Sequence, residues 1–433
     1  MTTPTPHPAP GRSSPDGTAA PADCPEHTGA VAMFGPGFID GDRARLYREM
    51  RAQHGPLAPV TLLGDVPAWL VLGYRELHQV TADPALFTHD SSVWNMWDRI
   101  PPDWPLMPMV GRQPSILYEV GDRHRRRSAL VSDSLSGVDP FELRTHTEQY
   151  ADALVDGFCG RAEADLVAEY AKQLPTLILA RLYGFSDEDS AALLPGINAV
   201  VDGAQGALEG RRHIQQTMGA LLRSRAITPA ADVTTRMQTH PNSGEFSTEE
   251  LLEDMMVAFI AGHQPTADWI GNSLRLMLTD DRFAASLGGG RHSVGEAMNE
   301  VLWEDTPSQN IAGRWATRDT QLGGKHIRSG DLLVLSFAAA NHDPQVRPDQ
   351  SALTGGNSAF FSFGHGSHRC PYPAQEISEG IARTGIEVLL DRLPDLDLAV
   401  APEELTWRPS PFLRGLESLP VTFTPTTALR EMR

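Results

Sequence analysis

Cys370 stands at the end of Phe363-Gly364-His365-Gly366-Ser367-His368-Arg369-Cys370, directly before Pro371 and a run that reads as the start of a helix. A lone cysteine at a helix N-terminus meets free N–H groups and the positive end of the helix dipole, which lower a thiol's pKa and make Cys370 a thiolate candidate. Gly364 and Gly366 open backbone conformations closed to other residues and let a flat ligand come close. His368 and Arg369 suit carboxylates on that ligand. A buried structural cysteine beside a glycine turn is the plainer alternative.

The ligand these features imply is haem, with Cys370 as the axial sulfur. At these residues the chain resembles the cytochrome P-450 superfamily, whose cysteine loop reads F-G-x-G-x-H-x-C, with every fixed position filled. The resemblance implies haem b (iron protoporphyrin IX) as cofactor and Cys370 as its metal ligand, with Phe363, Gly364 and His368 against the haem. Two positions depart from the usual loop. Prolines at 371 and 373 remove two N–H groups that would point at the sulfur, and Tyr372 stands where a glycine is usual. Fewer donors leave more electron density on the thiolate and are expected to lower the iron's potential.

Ala261-Gly262-His263-Gln264-Pro265-Thr266 resembles the superfamily's oxygen-activating segment, A-G-x-acid-Thr-Thr. Gln264 replaces the acid and Pro265 the first threonine, so neither relays protons as an acid and alcohol pair would. Pro265 lacks an N–H and crowds the Ala261 carbonyl, which predicts a kink. Catalytic positions carried over by the resemblance are Ala261, Gly262, Gln264, Pro265 and Thr266. His124 matches a propionate-binding histidine, with its arginine assigned loosely to Arg127, and Arg314 in Gly313-Arg314-Trp315-Ala316 matches the other propionate arginine. The remaining arginines of His124-Arg125-Arg126-Arg127 read either as a basic patch for an acidic electron donor or as a solvated helix face.

Glu300-Val301-Leu302-Trp303 occupies the place of the superfamily's E-x-x-R, and 349–360 contains no arginine. Both missing cations suggest that Trp303 packing replaces an ionic clamp, as in some actinobacterial members that lack this arginine. The implied activity is a monooxygenase that inserts one oxygen atom from O2 into a small organic, secondary-metabolite-like substrate. Electrons would come from NAD(P)H through ferredoxin reductase and ferredoxin. Oxidative C–C or C–N coupling, peroxide use, and a non-catalytic haem sensor are the alternatives.

These residues need elements to hold them. Ser247-Thr248-Glu249-Glu250 is a capping-box signature, and apolar residues then recur at helical spacing to about Leu278, predicting a helix on the order of 45 Å long. A helix from Phe38 to Arg51 and a hairpin on Gly64-Asp65 precede an irregular stretch, Trp94 to Tyr118, that by resemblance roofs the substrate pocket, with packing onto the core an equal alternative for any single tryptophan. The expected fold is mostly α with small β-sheets: one P-450-type domain over 31–427, with a long central helix over the haem. Length alone would suggest two or three domains. Residues 1–30, rich in Pro, Ala and Thr, read as a disordered tail. A net charge of −19 argues against nucleic acid and anionic membrane as partners. Cys24, Cys159 and Cys370 lie far apart, which fits a reducing cytoplasm, and no apolar stretch is long enough for an export signal or anchor.

Overall fold

The computed structural model describes residues 29–429 except 40, 112, 187–188, 191, 194, 198–206, 281–282, 284–291 and 349–355. All but the last two residues of the tail expected over 1–30, Cys24 among them, lie outside the described residues.

In the first part of the chain, α1 (Arg43–His54) starts where the Asp42 side chain accepts from the Arg45 N–H and stops at Gly55, φ 81°. The hairpin β2 (Leu57–Leu62) and β3 (Val66–Val71) turns on Gly64 and Asp65, both at positive φ. With β1 (Val31–Ala32), β4 (Phe87–Thr88), β6 (Asn310–Ala316) and β9 (Leu332–Ser336) it forms a sheet in the order β1-β2-β3-β9-β6-β4. Two strands from 310–336 are therefore inserted side by side among strands from the first ninety residues, and both faces are covered. Leu57, Trp69, Val71, Leu333 and Leu335 enter one apolar cluster, while Ala58, Val60, Leu70 and Val334 enter another, as period-two side chains require. Smaller sheets join β5 (Glu163–Asp165) to β11 (Pro420–Thr422) and β10 (Asp397–Leu398), and β7 (Thr320–Leu322) to β8 (Lys325–Ile327).

Helices make up most of the rest: α2 (Tyr74–Ala82), α3 (Gly121–Ser136), α4 (Pro140–Asp156), α5 (Gln173–Tyr183), α6 (Ala207–Ile227), α7 (Val233–Thr239), α8 (Thr248–Thr279), α9 (His292–Glu304), α10 (Phe337–Asn341) and α11 (Tyr372–Arg392). The fold is mostly α with small sheets, in one domain. α8 is the expected long helix, 32 residues opened by the complete Ser247/Glu250 capping box. It packs against α5, α6, α9 and α11, and buries Leu251, Met255, Phe259, Ile270, Leu274 and Met277. At about 1.5–3 kcal/mol for each large apolar side chain buried, this face holds the helix in place. α8 stays helical through Pro265. One missing backbone bond does not break a helix that tertiary packing supports along most of its length.

One expectation needs correction, and one pair of alternatives is decided. The ionic clamp is retained: Glu300 on α9 is buried and pairs with Arg347, which also reaches Glu304 at 3.1 Å. The cation lies just ahead of 349–360. Trp303 is buried as expected, with Nε1 donating to the Asn357 carbonyl at 2.8 Å and its ring edge-on to Phe360. The tryptophans of 94–118 pack onto the sheet. Trp94 and Trp104 are buried beside Trp315, and Trp104 donates to the Leu63 carbonyl at 2.8 Å. Among the described residues of that stretch, Ile116 and Leu117 reach the cavity described next.

Candidate functional site

A cavity of about 330 Å³ lies between α8 on one side and the cysteine loop on the other. The loop is shaped by Gly364 and Gly366, at φ 72° and 75°. A β-carbon at 366 would overlap the Thr81 carbonyl of α2, so glycine is required there by close approach as well as by conformation. The Cys370 N–H donates to the Phe363 carbonyl at 2.8 Å and closes the loop. Phe363 packs edge-on to Trp269 of α8, centroids 5.8 Å apart. Cys370 lines the cavity, immediately ahead of α11.

Burial pushes the Cys370 thiol up to about 12, and the nearby Arg369 charge offsets this only in part. The helix terminus does not make a thiolate here, contrary to the expectation above. The first two positions that would present N–H groups include Pro371, and the sulfur's hydrogen-bond partner is the Pro371 carbonyl, an acceptor, at 3.8 Å. A cation bonded to the sulfur is needed to hold it deprotonated. Among the described residues no cluster of three or more His, Cys, Asp or Glu is placed to hold a metal, so an iron held by Cys370 would take its other ligands from the group that carries it.

At the loop end of the cavity His368 is sandwiched between two other imidazoles. His89, just past β4, stacks on it with centroids 3.6 Å apart, and His124 of α3 stacks on the other face at 3.7 Å. Arg314 of β6 donates through Nη1 to His89 Nδ1 at 2.9 Å. All four line the cavity. Burial pushes His368 down to about 2 and Arg314 down to about 9, with the mutual repulsion of the group adding to the effect on His368. His89 and His124 are lowered for the same reasons, burial first and Arg314 second. Groups that repel one another's protons so strongly, gathered in a buried place, form a site for an anion. Two propionates on a porphyrin beside Cys370 fit it, and the residues present therefore suit haem.

The site brings together His124, Arg314, Phe363, Gly364, His368 and Cys370, with Ala261, Gly262, Pro265 and Thr266 across the cavity on α8. Thr266 donates its hydroxyl to the Gly262 carbonyl at 2.6 Å. Gln264 is elsewhere. Its side-chain Nε2 donates to Asp268 at 2.8 Å, on the face of α8 where Asp268 also meets Arg408. Asp268 is buried, and burial, outweighing Arg408, pushes its carboxyl up to about 6. Arg127 is elsewhere too. It is fully buried and grips Asp254 of α8 through Nε at 2.7 Å and Nη2 at 2.6 Å, while Nη2 also donates to the Pro114 carbonyl. Its task is to tie α3 to α8, and the loose propionate assignment is withdrawn. Of the two readings of the remaining arginines, the solvated helix face fits better: Arg125 and Arg126 are exposed and meet Asp122 and Glu245, and neighbouring Arg123 meets Glu119 and Glu250.

Sequence reasoning missed His89. Nothing in Phe87-Thr88-His89-Asp90 is periodic; only the pairing of Thr88 with Trp315 puts the histidine next to Arg314. The apolar wall was missed too, because Leu117, Leu179, Leu182, Val257 and Ile311 come from separate elements.

No family model matches the chain. It is 30% identical over 394 residues to the vitamin D(3) 25-hydroxylase of Pseudonocardia autotrophica, covering 88% of this chain and 94% of that protein. It is 29% identical over 309 residues to the polyketide biosynthesis cytochrome P450 PksS of Bacillus subtilis, covering 70% and 76%. Among solved structures, CYP154C4 from Streptomyces sp. ATCC 11861 superposes with a TM-score of 0.82 at 27% identity, covering 91% of this chain and 98% of that one.

Proposed function

The chain belongs to the cytochrome P450 family and is an oxidoreductase of its monooxygenase type; from that premise we propose that it inserts one oxygen atom from O2 into a small, largely apolar organic molecule of the secondary-metabolite kind. Haem, the cofactor the family implies, supplies the oxidising chemistry when bound.

The observation that carries this reading is that Cys370 and an anion-binding cluster line the same cavity as Ala261, Gly262, Pro265 and Thr266 of α8. In the proposed roles Cys370 would ligate the iron, and His124, Arg314 and His368 would hold the propionates through N–H donors and a guanidinium fork. Phe363 and Gly364 shape the loop against the ring. Leu179, Leu182, Val257 and Ile311 exclude water and orient an apolar substrate. The absence of an unpaired charge among these wall residues favours a neutral substrate. The hydroxyl of Thr266 is the side-chain alcohol of α8 in the wall, and it is engaged with the Gly262 carbonyl. Electrons are proposed to come from NAD(P)H through a ferredoxin-type carrier, in the cytoplasm. Among the described residues no helix is long and apolar enough to cross a membrane.

A second reading, oxidative coupling or peroxide use, is favoured by one observation. Gln264 is turned to Asp268 and away from the cavity, and the acid that does line the cavity, Asp254, has both oxygens engaged by Arg127. Proton delivery to the cavity from this helix is correspondingly poor.

The test is to incubate the haem-loaded protein with candidate metabolites, a surrogate ferredoxin and its reductase, and to weigh the products. A gain of one oxygen supports insertion; loss of two hydrogens with a new C–C or C–N bond supports coupling. Cys370→Ala is expected to abolish the red-shifted Soret band of the reduced carbonyl complex. Retention of that band would overturn the assignment of the sulfur.

A further inference from the structure

His89 is placed by the sheet rather than by a loop. β4 pairs antiparallel with β6, Phe87 with Ala316 and Thr88 with Trp315, so the next residue along, His89, falls beside Arg314. The Arg314 guanidinium has donors only. Its bond to His89 Nδ1 at 2.9 Å therefore makes Nδ1 the acceptor, and the ring's proton must sit on Nε2. That nitrogen is buried and has no hydrogen-bond partner. The Leu117 carbonyl is near enough to favour a proton on the ring, but it does not complete a hydrogen bond. Buried N–H groups without an acceptor are uncommon in folded proteins and ask for an explanation. Here the ring lines the cavity, lies against His368, and shares a guanidinium with the anion-binding cluster. Glu119, the carboxylate whose charge His124 feels, is bonded to Arg123 and Arg127 and does not answer the group.

We propose that His89 is a fourth propionate-holding residue, donating from Nε2 to a haem carboxylate beside Arg314. The inference rests on the reading of the cavity as a haem site and adds to it a residue from outside the cysteine loop and α3. Each carboxylate oxygen accepts more than one hydrogen bond, so two propionates accommodate three imidazole donors and one guanidinium. Because His89 sits at a strand end, its donor is held in place before the ligand arrives.

The test uses haem-free full-length protein titrated with hemin, with hemin dimethyl ester, and with metal-free protoporphyrin IX. His89→Phe keeps the stacked ring and removes both nitrogens; His89→Gln keeps a donor. A hydrogen bond to a charged group makes the expected loss for His89→Phe roughly ten- to a hundredfold in affinity for hemin and for protoporphyrin IX. The dimethyl ester should bind wild type and His89→Phe alike, and His89→Gln should recover most of the loss. If His89→Phe leaves the ratio of hemin to ester affinity at its wild-type value, the proposal is overturned. Should that variant not fold by circular dichroism, His89→Asn, whose amide is too short to reach a propionate, takes its place with the same two outcomes. The protoporphyrin arm contains no iron and reads the carboxylate contacts alone. Failure of Cys370 as ligand would appear in the hemin spectrum of the wild type, separately from any effect at His89.

Discussion

Arg347 and Glu300 form an ion pair inside the protein, with 5% and 1% of their surfaces exposed, and the pair ties the segment after α10 to α9. Removing one partner strands a buried charge. Arg347→Met is expected to cost about 3–5 kcal/mol in urea unfolding. Trp303→Phe, which gives up the bond to Asn357 and part of a packed ring, should cost less, about 1–3 kcal/mol. The opposite order would mean that packing at 303, and not the pair, holds the two segments together.

Asp268 carries a pH signature. Its folded pKa is raised from 3.8 to about 6 by burial. The native state then binds the proton more tightly than the unfolded chain, so the acid's contribution to stability is greatest below about pH 4 and is lost as pH rises through 6. Asp268→Asn has no such group. Wild-type stability relative to that variant should fall by up to about 3 kcal/mol between pH 4 and pH 6, and parallel stability curves across that window would contradict it.

Pro265 breaks one backbone bond of α8 without ending the helix. Proline in a helix interior costs about 3 kcal/mol relative to alanine, so Pro265→Ala is expected to raise the thermal midpoint of the haem-free chain. A lowered midpoint would show that the Ala261 carbonyl has found another donor that alanine displaces.

Arg127→Met tests the reassignment of that arginine. It should destabilise the chain by about 3–5 kcal/mol, since Asp254 is left buried without its partner. Hemin affinity per folded molecule should change far less than in His124→Ala. Equal losses of hemin affinity in the two variants would restore Arg127 to the propionate site.

Pro371 withholds an N–H from the position after the cysteine. Pro371→Leu supplies one and should raise the midpoint potential of the bound haem, measured by spectroelectrochemistry. An unchanged or lower potential would mean that the new N–H does not reach the sulfur.

The local signals were strong where chemistry and geometry coincide in a few consecutive residues. The cysteine loop was readable because two glycines, an aromatic, a histidine and the sulfur must follow one another to bring backbone close to a flat ligand. α8 was readable from its capping box and apolar spacing, and its observed bounds follow those signals. The hairpin on Gly64 and Asp65 was readable for the same reason. Arg347 is not legible as a clamp residue because its partner on α9 is 47 positions away, and the Trp-rich stretch is ambiguous between pocket and core because aromatic content does not say which surface it will cover.

The amino-acid order by itself determined the elements and singled out Cys370 as the candidate sulfur, since helix caps, turns and the cysteine bend depend on neighbours a few residues apart. The tertiary structure alone decided which of these groups meet: that Arg127 serves Asp254, that Arg347 serves Glu300, and that His89 joins His124, His368 and Arg314. Those pairings join residues tens to hundreds of positions apart, and their energies come from burial and strand register, which exist only once the sheet and the long helix have closed on each other.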